Sequence, residues 1–581
     1  MEISRITLLT ILLVAWPGLS AWAQSHRYEA ENGQLSGIFT SASVPGFSGT
    51  GYVTGFDNEG DHLLLDVDVP QGLYEMWVGY RSPFGDKGYD YQVDGEFGSG
   101  MFDQSLVFAE DRAGLFNLAA GTNTLGISKG WGYYDVDYLE FRPYTPPALL
   151  PISTQLADIQ PGPRTQVLMN YLVSQYGHKT LAGQQHEVSK NLPFPGQDYL
   201  EKSGGLSPAI RGSDFIEYSP SRIQFGANPN HETEQTIAWA QQTGGIVTMM
   251  WHWNAPTDLI NQPGKEWWRG FRTDATTFDL SAALADPAGQ DYQLLLRDID
   301  AIGGKLEKFQ AAGVPVLWRP LHEAQGGWFW WGAHGPDTFK SLWALMYDRL
   351  TNEHNLHNLI WEFTSSAAED GFLDWYPGDA MVDMIGLDIY TDPSSSMSGQ
   401  WADILEQYNG RKLIALSETG TLPDPDLLAQ WGIDWSYFSP WNGQFVDAFT
   451  AAQLQATLGH EDVITLDQLP VLPWNSNGTF LSADFNFTGN VDADDLVTLQ
   501  LAFGATGAAD TDGDGDTDGV DFLAWQQQFA NPPILATSSG PIPEPSSFAL
   551  WMMAIAMGCR RQDRESCLAL MILIPAARME A

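Results

Sequence analysis

Hydrophobic and polar residues alternate along residues 26–142, and this period of two is typical of half-buried β-strands. The clearest runs are His62–Val69, Leu73–Tyr80 and Tyr134–Phe141, with turn signals between them. We therefore predict an N-terminal β-sandwich over residues 26–142. The proline-rich segment that follows, residues 143–158, is predicted to be a linker.

The pattern changes over residues 159–472, where short apolar runs alternate with helical stretches such as Tyr292–Ala312 and Pro336–Thr351. Eight runs are present, and they end at Gln184, Phe215, Trp253, Glu323, Thr364, Tyr390, Glu418 and Trp441. Eight strand–helix units predict an α/β fold of the (β/α)₈ TIM-barrel type. A doubly wound sheet is the alternative, but the segment has no glycine-rich phosphate loop to support it.

Residues 480–530 contain two twelve-residue loops in register, each with glycine at its sixth position and aspartate at its twelfth. Oxygen side chains at the intervening positions fit a bound calcium ion, and a short helical segment follows each loop. We predict a small α-helical, EF-hand-like calcium module, with an acidic linker as the alternative. The predicted calcium ligands are Asp484, Asn486, Thr488, Asn490, Asp495, Asp510, Asp512, Asp514, Asp516 and Asp521.

The N-terminus has the three parts of a signal peptide in the expected order. Arg5 supplies the positive charge, an apolar stretch follows, and Ala21–Ala23 fits a cleavage site, so residues 1–23 are predicted to direct secretion. A buried N-terminal helix is the alternative.

The C-terminal segment 541–561 contains Pro-Glu-Pro, a short apolar run and Arg-Arg, which together fit a cell-surface sorting signal better than a membrane span. Residues 562–581 remain unassigned.

The formal net charge is −44, from 72 acidic and 28 basic residues, and such a chain would be repelled by nucleic acid. It suits a neutral polymer substrate and bound calcium. The two cysteines, Cys559 and Cys567, both lie in the tail, so the body must be stabilised without disulfides.

The candidate chemistry lies at two predicted strand ends, where Glu323 precedes a wall of aromatic residues and Glu418 ends the seventh run. Barrel strand ends converge at one mouth, and retaining glycosidases use two carboxyls about 5–5.5 Å apart. An apolar setting would keep Glu323 protonated as the acid/base, while Glu418 would be the nucleophile. Swapped roles, an ion pair of Glu323 with Arg319, and helix capping by Glu418 are the alternatives.

Other strand ends carry candidate sugar contacts. Tyr390 could donate a hydrogen bond to Glu418, and Asp388 could support the site without reacting. His252 lies between two tryptophans at the third strand end, and Trp441 is a candidate stacking platform. A structural histidine and a core tryptophan are the alternatives.

The segments Trp318–Glu323, Trp328–Gly332, Gly386–Tyr390 and Leu416–Glu418 resemble glycoside hydrolase family 26. The resemblance implies a (β/α)₈ barrel and a retaining endo-β-1,4-mannanase that needs no catalytic cofactor. It also implies acid/base and nucleophile roles for Glu323 and Glu418, and sugar-binding roles for His252, His322, Trp328, Tyr390 and Trp441. Mixed-linkage β-glucan and β-1,3-xylan are the alternative substrates.

Residues 26–142 resemble a family 35 carbohydrate-binding module, through Tyr28–Asn32 and Gly130–Tyr138. The resemblance implies a structural calcium bound by Glu29, Glu31 and Asp137, and ligand contacts by Trp131 and Tyr133. Packing at the sandwich edge is the alternative for the two aromatic residues.

The paired loops at 480–530 resemble a type I dockerin, and the segment 541–561 resembles a PEP-CTERM sorting signal. These resemblances imply a cohesin-bearing scaffold and a sorting enzyme as partners, beside the β-mannan polysaccharide itself. The expected protein is thus a secreted mannanase, with a catalytically silent glycan-binding or docking protein as the alternative from another class.

Overall fold

The computed structural model describes residues 25–93, 96–190, 192–366, 371–390, 397–477, 480–504, 509–511 and 516–529. The predicted signal peptide, the predicted sorting signal, residues 562–581 and the predicted calcium ligands Asp512 and Asp514 lie outside the described residues. Within the described ranges, no helix combines the length and the apolar character needed to cross a bilayer.

The N-terminal segment is a β-sandwich of two antiparallel sheets, as predicted. Its apolar side chains alternate along each strand, so that Leu63, Leu65 and Val67 of the fifth strand are buried between the sheets while Asp66 and Asp68 are exposed. The strands are β1 His26–Glu29, β2 Gln34–Ser36, β3 Phe39–Ser41, β4 Tyr52–Thr54, β5 His62–Val69, β6 Gly72–Ser82, β7 Lys87–Val93, β8 Glu96–Phe102, β9 Ser105–Leu118, β10 Gly121–Lys129 and β11 Asp135–Pro143.

The sandwich sheets have six and five strands. In the six-stranded sheet the order is β3-β4-β11-β6-β9, with β1 also paired to β11. In the five-stranded sheet the order is β2-β5-β10-β7-β8.

The following segment contains eight parallel strands, which confirms the predicted barrel. The first of them pairs with both the second and the last, and this pairing closes the barrel. A two-residue strand, β20 Val463–Ile464, adds beside the first barrel strand. The barrel strands are β12 Thr180–Gln185, β13 Ile210–Asp214, β14 Ile246–Met250, β15 Val316–Arg319, β16 Leu359–Ser366, β17 Met384–Ile389, β18 Leu413–Thr419 and β19 Tyr437–Pro440.

The helices follow the strands in alternation. They are α1 Pro163–Gln175, α2 Gln197–Ser203, α3 Pro220–Gln224, α4 Glu232–Thr243, α5 Leu280–Ala285, α6 Gln290–Ala312, α7 Pro336–Asp348, α8 Phe372–Trp375, α9 Ser398–Tyr408, α10 Pro425–Trp431, α11 Gln444–Ala448, α12 Ala451–Leu458, α13 Ala493–Ala502 and α14 Gly519–Phe529. The helix predicted over Pro336–Thr351 ends earlier, because a π-helical turn, Arg349–Glu353, replaces its last part.

The long helix α6 has the spacing of apolar residues that is typical of an amphipathic helix. Its buried residues include Leu295, Ile299, Ile302 and Leu306, spaced by three or four positions along one face. The helix ends at Gly313, whose φ of 68° lies in the left-handed region that glycine adopts without strain.

The described residues divide into two compact units by their contacts. One unit contains the described parts of Met1–Ala148, Thr391–Gln407 and Asp426–Ile433, so most of α9 and α10 belong with the sandwich. Within this unit Ser398 Oγ donates to the Leu115 carbonyl at 3.1 Å, and Arg112 forms an ion pair with Asp403. The other unit contains the barrel strands and the C-terminal helices.

The C-terminal helices α13 and α14 each follow one of the two predicted loops. They share a small core of Ala483, Leu499, Ala502, Ala509, Phe522 and Trp525. Trp525 Nε1 donates to the Asp492 carbonyl at 2.9 Å, which joins the second helix to the first loop.

Candidate active site

A cavity of about 320 Å³ lies at the carboxyl ends of the barrel strands. Active sites of (β/α)₈ barrels form at this end, because loops there bring the ends of several strands together. All seven residues predicted to act on or bind the cleaved sugar line this cavity. Its lining residues are His252, Arg272, His322, Glu323, Trp328, Phe329, Tyr390, Glu418, Trp441 and Phe445.

Glu418 lies within strand β18 and is held by two donors. The guanidinium of Arg319, at the end of β15, donates from Nη2 to Glu418 Oε1, and the Tyr390 hydroxyl donates to Oε2 at 2.8 Å. Burial raises the pKa of Tyr390 far above its ordinary value and the charge of Glu418 adds to the rise, so the hydroxyl keeps its proton. The two donors fix the orientation of the Glu418 carboxylate, and the contact with the guanidinium is a charge-assisted hydrogen bond. Glu418 is part of a strand, so the alternative in which it caps a helix is wrong.

Arg319 is fully buried and contacts a second carboxylate. Its Nη1 donates to Asp388 Oδ2 at 3.0 Å, and Ser417 Oγ donates to Asp388 Oδ1 at 2.8 Å. Asp388 thus fixes the guanidinium that faces Glu418, which is the supporting position expected for it. The alternative pairing of Arg319 with Glu323 is wrong, since the guanidinium is bound to Asp388 and Glu418.

Glu323 lies in a tight turn four residues beyond the end of β15. Its φ is 53°, and that of Leu321 is also 53°, so two non-glycine residues adopt the left-handed conformation here. The Glu323 amide donates to the Thr364 carbonyl of β16 at 3.2 Å, and Trp328 Nε1 donates to Glu323 Oε2 at 2.9 Å. The turn therefore holds this carboxyl at the cavity in a defined orientation.

The pKa of Glu323 is strongly raised. Burial raises it to about 7 and the negative charge of Glu418 adds to the rise, while the hydrogen bond from Trp328 opposes it. A carboxyl in this setting holds its proton near neutral pH. The other glutamate of the cavity, Glu418, instead accepts hydrogen bonds from Arg319 and Tyr390, and two carboxyls in such different settings can divide the roles of acid and nucleophile.

The two carboxyls are close together. One oxygen from each of Glu323, Asp388 and Glu418 lies within 4.8 Å of the other two. Asp388 is fully buried behind Arg319, so Glu323 and Glu418 are the members of this group that line the cavity.

His322 and His252 form a chain of hydrogen bonds that ends on Asp214. His252 Nδ1–H donates to Asp214 Oδ2 at 2.6 Å, and His252 Nε2 shares a hydrogen bond of 3.2 Å with His322 Nε2. Burial lowers the pKa of His322 well below its usual range, and its neighbours His252 and Arg319 add to the effect, so its imidazole is neutral. Its other nitrogen, Nδ1, is buried without a hydrogen-bond partner among the described residues.

A second cavity of about 290 Å³ shares His252 and Trp441 with the first. Its lining includes Glu217, Arg222 and the half-exposed Trp268. Arg222 is fixed by Glu217 at 2.6 Å. The two cavities therefore adjoin at His252 and Trp441.

In the sandwich, the three predicted calcium ligands converge on the segment 48–51. Ser48 donates from its amide to both oxygens of Asp137 and from Oγ to Glu29 at 2.6 Å. Thr50 donates from its amide to Glu31 Oε1 at 2.6 Å. The other Glu31 oxygen is buried without a hydrogen-bond partner among the described residues, and burial together with Glu29 and Glu31 raises the pKa of Asp137 to about 6.

The predicted ligand contacts of the sandwich, Trp131 and Tyr133, are 61% and 53% exposed. The indole ring of Trp131 lies over Gly88, at a position where an added Cβ would be only 3.2 Å away. Packing therefore covers one side of the indole and leaves the rest of it accessible.

The described loop residues have matching contacts in both copies. Asp495 accepts from the Asp492 amide at 2.8 Å, and Asp521 accepts from the Asp518 amide at 2.7 Å. Asp484 accepts from the Gly489 amide at 2.7 Å. Burial and the neighbouring Asp495 and Asp492 raise the pKa of Asp484 to about 6.

The sequence did not reveal every residue of the site. Arg272 and Phe445 line the cavity from segments between strands, and Asp214 orients His252. Asp214 ends strand β13, and this position was the one signal that could have identified it. Arg272 and Phe445 follow no predicted strand end and carried no such signal.

A barrel whose mouth holds two neighbouring glutamates between aromatic side chains is typical of glycoside hydrolases, and this chain is one of them. Residues 157–468 match the profile of glycosyl hydrolase family 26, which covers more than half of the chain, and the chain belongs to that family. Residues 26–144 match the profile of the carbohydrate binding module of family 35.

Relatives match across both domains. A mannan endo-1,4-beta-mannosidase of Thermothelomyces thermophilus is 39% identical over 78% of this chain and 92% of its own length. The Piromyces sp mannan endo-1,4-beta-mannosidase B is 33% identical, over 79% of each protein. The solved GH26-CBM35 beta-(1,4)-mannanase of Podospora anserina is 37% identical with a TM-score of 0.55, covering 78% of this chain and 99% of that one.

Proposed function

We propose that this protein is a secreted, retaining endo-β-1,4-mannanase that hydrolyses internal β-1,4-mannosidic bonds of mannan, glucomannan or galactomannan. The observation that carries the proposal is the pair Glu323 and Glu418, with carboxylate oxygens within 4.8 Å of each other. Inverting enzymes need a wider gap of about 6.5–9.5 Å for a water molecule, so the short gap favours double displacement. The names of the relatives, mannan endo-1,4-beta-mannosidases, support the choice of polymer.

In the first step Glu418 attacks the anomeric carbon of the bound mannosyl unit while Glu323 donates its proton to the leaving glycosidic oxygen. Arg319 and Tyr390 donate hydrogen bonds to Glu418 and orient its carboxylate. The bond between the anomeric carbon and the leaving oxygen breaks as the ester bond to Glu418 forms. The shortened polysaccharide then leaves with the proton from Glu323.

The second step uses the same residues with Glu323 as base. Once Glu418 is esterified its negative charge is gone, and with it one of the two main causes that raise the pKa of Glu323. The pKa of Glu323 therefore falls, the residue stays ionised after it has given up its proton, and it can take a proton from the water that attacks the anomeric carbon. The sugar is released with its original configuration, and both glutamates return to their starting states.

Endo action requires a cleft that holds sugars on either side of the cleaved bond. The second cavity, which continues from His252 and Trp441 toward Trp268, supports such binding. His322 and the indole of Trp441, which both line the first cavity, are the proposed contacts to the sugar at the point of cleavage.

The decisive experiment compares initial rates on glucomannan, galactomannan, mixed-linkage β-glucan and β-1,3-xylan at equal mass concentration. We expect the two mannans to be cleaved fastest, with release of oligosaccharides rather than monomers. Faster cleavage of β-glucan or xylan would mean that the same two glutamates act on that polymer, and it would overturn the assignment of mannan as the substrate.

Replacing Trp328 with phenylalanine is expected to move the alkaline limb of the kcat/KM profile to higher pH. The indole N–H stabilises the ionised form of Glu323, so its loss raises the pKa of the acid and extends the pH range in which the proton is present. The shift should be about one pH unit, given the strength of a hydrogen bond to a charged group.

The matched control is Trp441→Phe, which changes another tryptophan of the same cavity. We expect this variant to have a higher KM, with the alkaline limb of its kcat/KM profile at the same pH as in the parent protein. An alkaline limb that stays fixed in Trp328→Phe would mean that Glu323 is not the group that sets it.

We also propose structural calcium in the small modules, with no part in the chemistry. In the sandwich Glu29, Glu31 and Asp137 would hold it, because three acids and one unpartnered buried oxygen lie around Gly49, where a Cβ would be 2.5 Å from Glu31 Oε1. In the paired loops the predicted acids and amides would hold it. The ion would supply positive charge that neutralises the clustered carboxylates.

Chelation with EDTA is therefore expected to lower the melting temperature of residues 480–530 while the initial hydrolysis rate changes little. An ion at a hundredfold excess over its Kd contributes about 2.7 kcal/mol to stability. Calorimetry with and without added calcium would measure the loss, and Asp484→Asn should remove part of the response. If chelation lowered the initial rate as much as it lowered the stability, calcium would have a part in the chemistry and the proposal of a purely structural ion would be wrong.

The remaining assignments follow from sequence. Residues 1–23 would direct export and residues 541–561 would act as a sorting signal, so we place the mature enzyme outside the cell or at its surface. The paired loops would dock onto a cohesin-bearing scaffold.

A further inference from the structure

The outer face of the five-stranded sandwich sheet carries a depression of about 270 Å³ that is separate from the predicted contacts Trp131 and Tyr133. Its lining includes His62, Leu64, Gln92, Phe97, Gly126 and Ser128. In the register of the sheet, Gly126 lies between Leu64 and Gln92, and Gln92 pairs with Phe97. These four residues form one row across strands β5, β10, β7 and β8.

Gly126 creates the depression, because its neighbours in the row carry side chains and it does not. A Cβ built on Gly126 would lie 3.0 Å from Leu64 Cδ2 and 3.1 Å from Gln92 Cγ. Phe97 borders the depression and is 66% exposed, a large apolar surface to leave in water.

The chemistry of the lining selects a neutral, hydroxyl-rich partner. The chain has a net charge of −44, yet none of the described residues that line the depression is Asp, Glu, Lys or Arg. His62 is fixed by a hydrogen bond of 2.8 Å from Nδ1 to the Gly60 carbonyl, and Gln92 and Ser128 add further polar groups. Polar groups beside an exposed aromatic ring suit a sugar, which has both hydroxyls and an apolar face.

The depression and Trp131 share one face of the sheet. Gly88, under the Trp131 indole, and Gln92 are both on β7 and are an even number of positions apart, so they face the same side. The two residues are four positions apart, which corresponds to about 13 Å along an extended strand. Between them Asp90 accepts a hydrogen bond from Ser99 Oγ at 2.7 Å, so the face is polar along this path.

We propose that this face, from Trp131 to Phe97, is an extended binding surface for a chain of a neutral polysaccharide, with the depression at Gly126 as a second sugar site. The choice of β-1,4-mannan as that polysaccharide rests on the proposed function. The surface would hold the polymer by several sugar units at once, and short oligosaccharides would reach only one end of it.

The test uses the full chain with Glu418→Ala, so that the ligand is not cleaved, and measures retention on mannan in native affinity gels. Phe97→Ala and Gly126→Ala are each compared with Phe39→Ala, which removes a similarly exposed phenylalanine (60%) from the other sheet. We expect about a tenfold weaker affinity for the polymer in the first two variants and no change in the third, as for the loss of one aromatic contact.

Calorimetry with mannobiose and mannohexaose adds the dependence on length. Phe97→Ala should weaken binding of mannohexaose and leave mannobiose unchanged, while melting temperatures of all variants stay equal to that of the parent. Retention of Phe97→Ala and Gly126→Ala equal to that of Phe39→Ala would overturn the proposal. Mannan hydrolysis by the chain with Glu418 intact would persist in that case, so this outcome leaves the proposed function standing.

Discussion

Hydrolysis of mannan by the Glu418→Ala protein is expected to fall by about 10⁴-fold or more, the size of loss that follows removal of a catalytic nucleophile. Alanine removes the carboxylate that attacks the anomeric carbon and leaves a space beside Arg319 and Tyr390. Reducing-sugar release from glucomannan, with circular dichroism as a check on folding, measures the loss.

Azide distinguishes the roles of the two glutamates, because a small anion can enter the space that alanine leaves. With an activated aryl β-mannoside, Glu418→Ala and azide should give the α-linked mannosyl azide by one displacement. Glu323→Ala should still form the ester with Glu418, since the aryl group leaves without a proton, and azide should then give the β-linked product. If Glu418→Ala gave the β-linked azide and Glu323→Ala the α-linked azide, Glu323 would be the nucleophile and Glu418 the acid/base.

The comparison variant Glu323→Ala should lose about 10²–10⁴-fold on mannan, as expected for loss of general acid catalysis. Its loss on the activated substrate should be much smaller in the first step. Equal losses on both substrates would contradict the assignment of Glu323 as the proton donor.

The local pattern was sufficient to predict the elements that carry the site. Most barrel strands are short apolar runs because both of their faces are covered, and the eight predicted ends fall within four residues of the observed strand ends. Since parallel strands of a barrel end at one mouth, the order of the runs alone brought Glu323, Tyr390, Glu418 and Trp441 together.

What the pattern could not give were conformations and contacts between distant residues. The fourth run was expected to reach Glu323, but β15 ends at Arg319 and a turn with two left-handed residues presents the carboxyl. Periodicity contains no information on a positive φ at leucine or glutamate, which costs energy and is compensated by tertiary contacts. Arg319 likewise meets Asp388 and Glu418 across 69 and 99 positions of sequence.

Arg319→Met is expected to destabilise the barrel by about 3–5 kcal/mol, the range found when one partner of a buried ion pair is removed. The guanidinium is fully buried between Asp388 and Glu418, so methionine leaves two buried carboxyls without their cation. Thermal unfolding at pH 7, followed by calorimetry, should show the barrel transition lowered by about 10 °C.

The pH dependence of this deficit tests its cause. Burial raises the pKa of Asp388 well above its ordinary value even with Arg319 present, and loss of the cation raises it further. A carboxyl whose pKa is higher in the folded than in the unfolded protein stabilises the folded state at pH values below the unfolded pKa. This contribution to the free energy of unfolding is lost as the pH rises through the folded pKa. The difference in melting temperature between Arg319→Met and the parent protein should therefore become smaller as the pH falls from 7 toward 4.

Two further variants separate charge from packing. Arg319→Met combined with Asp388→Asn has one buried carboxylate fewer and should recover part of the lost stability, because the cost comes from the unpaired charge. Arg269→Met removes an exposed ion pair with Asp274 and should change stability by less than about 1 kcal/mol. An Arg319→Met protein that melts like the Arg269→Met protein would mean that the guanidinium does not stabilise the two carboxylates, and the electrostatic account of the ionised nucleophile would fail with it.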